Sequence, residues 1–213
     1  MGGPLVSIPL REPLTDQQID DLEHWLRTLT SRLTGERGAW GPFQITAGHR
    51  IGWQADLRDR GGSFSLRIRD EWDELHDLED DLFIDQLIRT DIEAQQAQMQ
   101  AHLGYVPQQS LDIEASVNSR FDHRILGHMA LALADRYDGL IDMGGAITPP
   151  GVYHDPYSDP AEALRIISAY MHAMPGRVIE ITYLTSGDHW VYHIVDTAFL
   201  RAWLRHSHFH MIK

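Results

Sequence analysis

In the stretch GGSFSLRIRD, residues 61–70, Phe64, Leu66 and Ile68 alternate with Ser65, Arg67 and Arg69, and this period of two restricts the fold more than any other feature of the chain. Only a strand covered on one face and wet on the other presents such a pattern to core and water together. SLDIEASV repeats it, with Leu111, Ile113, Ala115 and Val117 on one side. RVIEITYLT and HWVYHIVDT, separated by Ser186, Gly187 and Asp188, read as a hairpin whose turn Gly187 supplies. Gly3–Leu10, GPFQIT and RIGWQADLRD, each bounded by Gly or a polar turn, are further expected strands.

Helices interleave with these strands. TDQQIDDLEHWLRTLTSRL opens on Thr15 or Asp16 as N-cap, carries acids in its first turn, and places Ile19, Leu22, Trp25, Leu26, Leu29 and Leu33 on one face. LIRTDIEAQQAQMQAHLG, RFDHRILGHMALALADRYDG, PAEALRIISAYMHAM and AFLRAWLRH are the other expected helices, the third of these started by Asp159 with Pro160 and closed by Pro175-Gly176. Strands and helices do not strictly alternate, and the hairpin implies antiparallel pairing. The expected class is α+β, with a mixed, largely antiparallel sheet or sheets flanked by helices. One domain over 1–213 is expected; if it divides, the lobes are 1–107 and 108–213.

Of the 213 residues 43% are hydrophobic and 23% charged, a balance that supports a packed core. Cysteine is absent, which removes disulfides, Cys-ligated zinc and thiol catalysis. The N-terminus MGGPLVSIPLREPL has no basic stretch ahead of an apolar run, and MALALA (129–134) is far shorter than a membrane span, so a soluble, cytoplasmic protein is expected. Thirty-one acids against 18 bases give a formal charge of −13. Such a surface repels nucleic acid and anionic lipid and attracts basic proteins.

Part of that excess is concentrated between Asp70 and Asp85, DEWDELHDLEDDLFID, where nine of sixteen residues are Asp or Glu. Leu75, Leu78 and Leu82 recur at helical spacing, which predicts a helix with one apolar stripe and an otherwise acidic surface. Like charges such as Asp73 and Asp77, or Asp77 and Asp81, stand four apart, each pair costing a few tenths of a kcal/mol. No arginine follows to relieve them until Arg89. A cationic surface docking on the ridge would remove the repulsion.

Thirteen histidines invite a metal reading. His206, His208 and His210 alternate in the tail, where incidental chelation is the expectation, and His189 and His193 share the expected solvent face of their strand, with Trp190, Tyr192 and Ile194 toward the core. HExxH, GxSxG, P-loop and GxGxxG patterns are absent, and Asp142-Met143-Gly144-Gly145 reads as a tight turn after a strand. No catalytic residue, metal ligand or cofactor is therefore assigned, and the chain is not expected to be an enzyme.

The segment HMALALADRYDGLIDMGGAI, 128–147, resembles a group of bacterial proteins encoded beside polymorphic toxin genes: a helix ending near an aromatic residue and Gly, then a short I-D-x-G-G run. The resemblance implies an immunity protein, which neutralises a cognate toxin by occlusion and carries no catalytic residues. The expected partner is one basic toxin domain, an enzyme acting on nucleic acid or a nucleotide, and neither nucleic acid nor membrane is bound directly. Asp73, Glu74, Asp77, Asp80 and Asp81 are the expected electrostatic contacts, Trp72 a candidate anchor and Tyr153 and Tyr157 a second contact loop. The competing reading is a metal-dependent hydrolase using the C-terminal histidines. Oligomeric state is not legible in the chain.

Overall fold

A computed structural model describes residues 3–54, 61–72, 83–149, 152, 159–185 and 188–212. Its centre is one antiparallel sheet. The strands are β1 (Leu5–Leu10), β2 (Gly35–Glu36), β3 (Ala39–Phe43), β4 (Phe64–Asp70), β5 (Gln109–Ala115), β6 (Ile141–Asp142), β7 (Val178–Thr185) and β8 (Asp188–Val195), in the spatial order β2-β3-β4-β5-β1-β6-β8-β7. The helices are α1 (Asp16–Leu29), α2 (Phe83–Leu103), α3 (Arg120–Tyr137), α4 (Pro160–His172) and α5 (Thr197–Arg205). The fold is α+β, with every strand pair antiparallel.

The alternations place their apolar sets on one face. Val6 of β1, Ile113 of β5 and Leu66 of β4 lie side by side in register and are fully buried. Beneath them pack Leu22, Leu26 and Leu29 of α1, Ile125, Met129 and Leu133 of α3, and Phe199 and Trp203 of α5. Residues 104–109, where a division into lobes would fall, lead from α2 into a strand held between β4 and β1, so the sheet runs through both halves of the sequence.

Helix starts follow the expected chemistry. The Thr15 side chain accepts from the Gln18 N–H while the Gln18 side chain accepts from the Thr15 N–H, a reciprocal cap. The side chains of Ser119, Asp159 and Asp196 each accept one N–H from the first turn of α3, α4 and α5, and Pro160 stands in the first turn of α4. Gly176, in the turn after α4, has φ +109°, and a Cβ there would lie 2.3 Å from the Phe199 backbone nitrogen. Only glycine fits that approach.

α2 covers the second face at the far end of the sheet. Met99 joins Ile179, Ile181 and Ile194 in a smaller apolar cluster. Edge strand β7 is blunted from the side: the Gln98 side chain accepts from Thr182 N–H and donates to its carbonyl, both at 2.9 Å, and Asp91 Oδ1 accepts from Leu184 N–H. An edge closed by side chains offers no ladder to a foreign strand.

Three expectations change. RIGWQADLRD is not a strand where described: Gly48–Ile51 form a short 3₁₀ turn ended by Gly52 at φ +75°, and Trp53 stacks on His128; residues 55–60 lie outside the described set. His193 is not on a wet face but fully buried. β8 is an inner strand with helices on both sides, so both faces of its pattern meet core: Ile194 faces the α2 cluster while Val195 joins the main core. There its Nδ1 accepts the Ile147 N–H, while its Nε2, buried without a hydrogen bond, stands 3.8 Å from Glu180 Oε1. The histidine tail is also packed, with Phe209 and Met211 buried and Trp203 Nε1 donating to the His210 carbonyl.

Ile113→Ala removes a side chain with full neighbours on two strands and is expected to cost about 2–5 kcal/mol. Val117→Ala, at a position 48% exposed, is expected to change stability by less than about 0.5 kcal/mol. Urea denaturation checks both, and equal effects would contradict this placement of the core.

Candidate functional site

The polar face of the sheet carries a row of side chains at one level. Asp112 of β5 stands opposite Ser7 of β1, which stands opposite Asp142 of β6. Asp112 is saturated by donors: Ser7 Oγ at 2.6 Å, Ser110 Oγ at 3.0 Å and Arg69 Nε at 2.8 Å. The second edge of the Arg69 guanidinium points to Glu71, 3.7 Å away. Arg69, Glu71 and Asp142 floor a cleft of about 360 Å³ that α2 and the β7–β8 hairpin wall on the other side with Ile92, Gln95, Met99, Tyr183 and Tyr192.

Trp72 forms one rim. Its φ of +68° is unusual for a large side chain, and two contacts hold it there: Nε1 donates to the Pro107 carbonyl at 3.0 Å, and the ring packs on the Met99 cluster. The candidate anchor therefore belongs both to the small core and to the cleft. The preceding residue prolongs the ladder, with Glu71 N–H donating to the Gln108 carbonyl.

Two carboxylates, Glu71 and Asp142, line the cleft with one guanidinium, Arg69, which is itself paired with Asp112 behind them; the acids therefore outnumber the base, and the charge is distributed unequally. Burial pushes the Asp142 carboxyl up to about 7, and the negative Glu71 and Asp112 push the same way; the Gly144 N–H, donating to its Oδ1 at 2.8 Å, and Arg69 pull it down. The Tyr192 hydroxyl is pushed upward by burial and by Asp142, Glu71 and Asp91, and stays protonated. An acidic floor flanked by aromatic rings is the chemical complement of a guanidinium or ammonium group. It also places a carboxyl that can exchange a proton near neutrality.

The neighbouring surface is apolar. At the head of α2, Ile84 is 68% exposed and Leu87 and Ile88 are also open, at spacings of three and four along one helix stripe. Between Trp72 and Phe83 the sequence carries Asp73, Glu74, Asp77, Glu79, Asp80 and Asp81; these residues, and Tyr153 and Tyr157, lie outside the described set. Of the expected contacts, the structure brings Trp72 to the cleft. Asp142, Glu71, Arg69, Tyr183 and Tyr192 were missed as a group, because β-pairing assembles them from four separate strands. The one sequence signal was Asp142 itself, an acid just before a Gly pair.

The C-terminal histidines take other roles. His206 stacks on Trp203, His210 Nδ1 meets the His208 carbonyl, and His193 Nε2 and His172 Nε2 each stand 3.8 Å from Glu180 Oε1. Among the described residues no group of three His, Asp or Glu stands at metal-holding spacing, and no helix is long and apolar enough to cross a membrane.

One family model matches residues 2–213, that of a family of unknown function, DUF6368. No curated protein and no solved structure matches the chain.

The Asp142 carboxyl keeps its proton to about 7 in the folded chain, whereas an unfolded Asp loses it near about 4. The folded state thus binds more protons across that window, so this group's contribution to stability is complete below about 4 and is lost as pH rises through about 7. Asp142→Asn, whose Oδ1 can still accept the Gly144 N–H, is expected to gain in melting temperature relative to the parent from pH 4 to 7 and to level off above. Parallel curves would contradict the assignment.

Proposed function

We propose that this chain, which belongs to the DUF6368 family, is a cytoplasmic inhibitor of the immunity-protein kind that binds and occludes a basic toxin domain. The observation that carries this reading is the cleft at Asp142: the carboxylates of Glu71 and Asp142 on its floor, Trp72, Tyr183 and Tyr192 around it, and a volume of about 360 Å³, ample for an arginine side chain. An enzyme that acts on nucleic acid presents Lys and Arg where phosphates lie. A surface of carboxylates fits the same side chains, so the groups that grip substrate are the groups the inhibitor covers.

The surroundings support the reading in two ways. Six acids follow Trp72 in the sequence before α2 begins, and negative charge so close along the chain would steer a cationic partner. The stripe Ile84, Leu87 and Ile88 offers uncovered apolar area of the kind found at the centre of interfaces, with charge at the rim. In this reading the acids set the association rate, and Trp72 with the apolar stripe sets residence time.

The test is co-expression with the product of the adjacent open reading frame, followed by association kinetics across salt concentration. Replacing Asp73, Asp77, Asp80 and Asp81 by Asn is expected to slow association at low salt by roughly tenfold or more and to flatten its salt dependence. Glu71→Gln is expected to weaken the complex further. An association rate indifferent to all five changes would overturn the role of this surface.

A further inference from the structure

A second cleft, of about 600 Å³, lies on the opposite side of the sheet, and its charge is reversed. Three elements bring arginines to it. Arg124 stands on the face of α3 that also presents His128 and Asp135, Arg201 and Arg205 lie four apart on α5, and Arg50 comes from the 3₁₀ turn Gly48–Ile51. In a chain of charge −13 this places four arginines around one carboxylate.

The internal partners do not account for that charge. Asp135 takes Arg201 NH2 at 2.6 and 2.8 Å and is spent on it. Arg124 donates to the Leu204 carbonyl and lies over the Phe209 ring, contacts that hold the side chain without neutralising it. Arg50 and Arg205 are exposed and make no ion pair with another described residue. Three guanidinium groups therefore line one opening without a counterion among the described residues. Beside them His128 is held flat against Trp53, ring centroids 5.5 Å apart and planes 5° from parallel, with burial and Arg124 lowering its affinity for a proton.

We propose that this cleft binds a small phosphorylated molecule, its phosphate held by Arg50, Arg124 and Arg205. Planar guanidinium forks match phosphate oxygens in pairs, and convergence from three separate elements fixes the anion rather than merely attracting it. A volume of this size accommodates a ligand as large as a mononucleotide. A long nucleic acid is disfavoured, because a strand leaving the cleft would run onto a strongly negative surface. The site is independent of the partner-binding reading, since α3 and α5 pack on the face of the sheet away from Asp142.

Calorimetric titration of the full chain with inorganic phosphate, AMP and ATP at low salt tests the proposal. Saturable one-to-one binding is expected, with a dissociation constant at or below about 1 mM for the best of the three. The ranking separates a bare phosphate site, where all three bind alike, from a nucleotide site. The double change Arg50→Ser and Arg205→Ser alters two exposed side chains and is expected to leave the melting temperature in place while weakening binding by roughly tenfold or more. Broadening of the ³¹P resonance, lost in the double variant, gives the same answer without heat. No saturable binding at low salt, binding indifferent to both substitutions, or tighter binding of a single-stranded oligonucleotide than of any mononucleotide would overturn it.

Discussion

The pairing of β1 with β6 is the interaction on which the rest of the molecule depends. On one side β1 matches β5 over six consecutive residues; on the other it meets β6 at the single register Ser7 to Asp142. Five strands thus join three through a two-residue strand. The apolar side of that seam is secured by Ile141, Met143 and Ile147, all buried, and by the α3 residues beneath them. On its polar side a carboxyl group stands instead, enclosed by α2 and the β7–β8 hairpin. The cleft lies over this narrow seam, floored by the end of β4 and by β6 and walled by α2 and the β7–β8 hairpin.

Charge divides between the two faces. On the Asp142 side, carboxylates outnumber the one arginine and aromatic rings close the walls; on the α3–α5 side, arginines outnumber the one carboxylate. Burial accounts for the first, since it forces Asp142 toward its neutral form and so reduces the repulsion among three acids. The second has no such internal relief. A fold that tolerates opposite excesses on two faces is suited to meeting two ligands of opposite charge.

What the sequence made legible was local. Alternation at Phe64–Ile68 and Leu111–Ala115 located the central strands, and Thr15, Asp159 and Pro160 marked helix starts, because each pattern is set by backbone geometry within a few residues. Trp72 was legible as an aromatic beside an acidic run, and it does rim the cleft. The error at His193 came from treating a strand as one-sided: period two says which residues share a face, not how many faces are covered. RIGWQ was misread because Gly52 in a left-handed conformation ends a turn there, and a lone glycine between apolar residues also fits a strand. The grouping of Arg69, Glu71 and Asp142 was beyond local reasoning, since it depends on a register between strands more than a hundred residues apart.

The state of the Asp142 carboxyl joins the seam, the cleft and the proposed partner in one quantity. Carboxyl ¹³C resonances followed against pH, alone and with an arginine-rich peptide, report it directly. The expected result is a titration centred near 7 for Asp142 in the free chain, moving down toward the ordinary carboxylate range when a guanidinium occupies the cleft. A midpoint near about 4 that the peptide leaves unmoved would contradict the account.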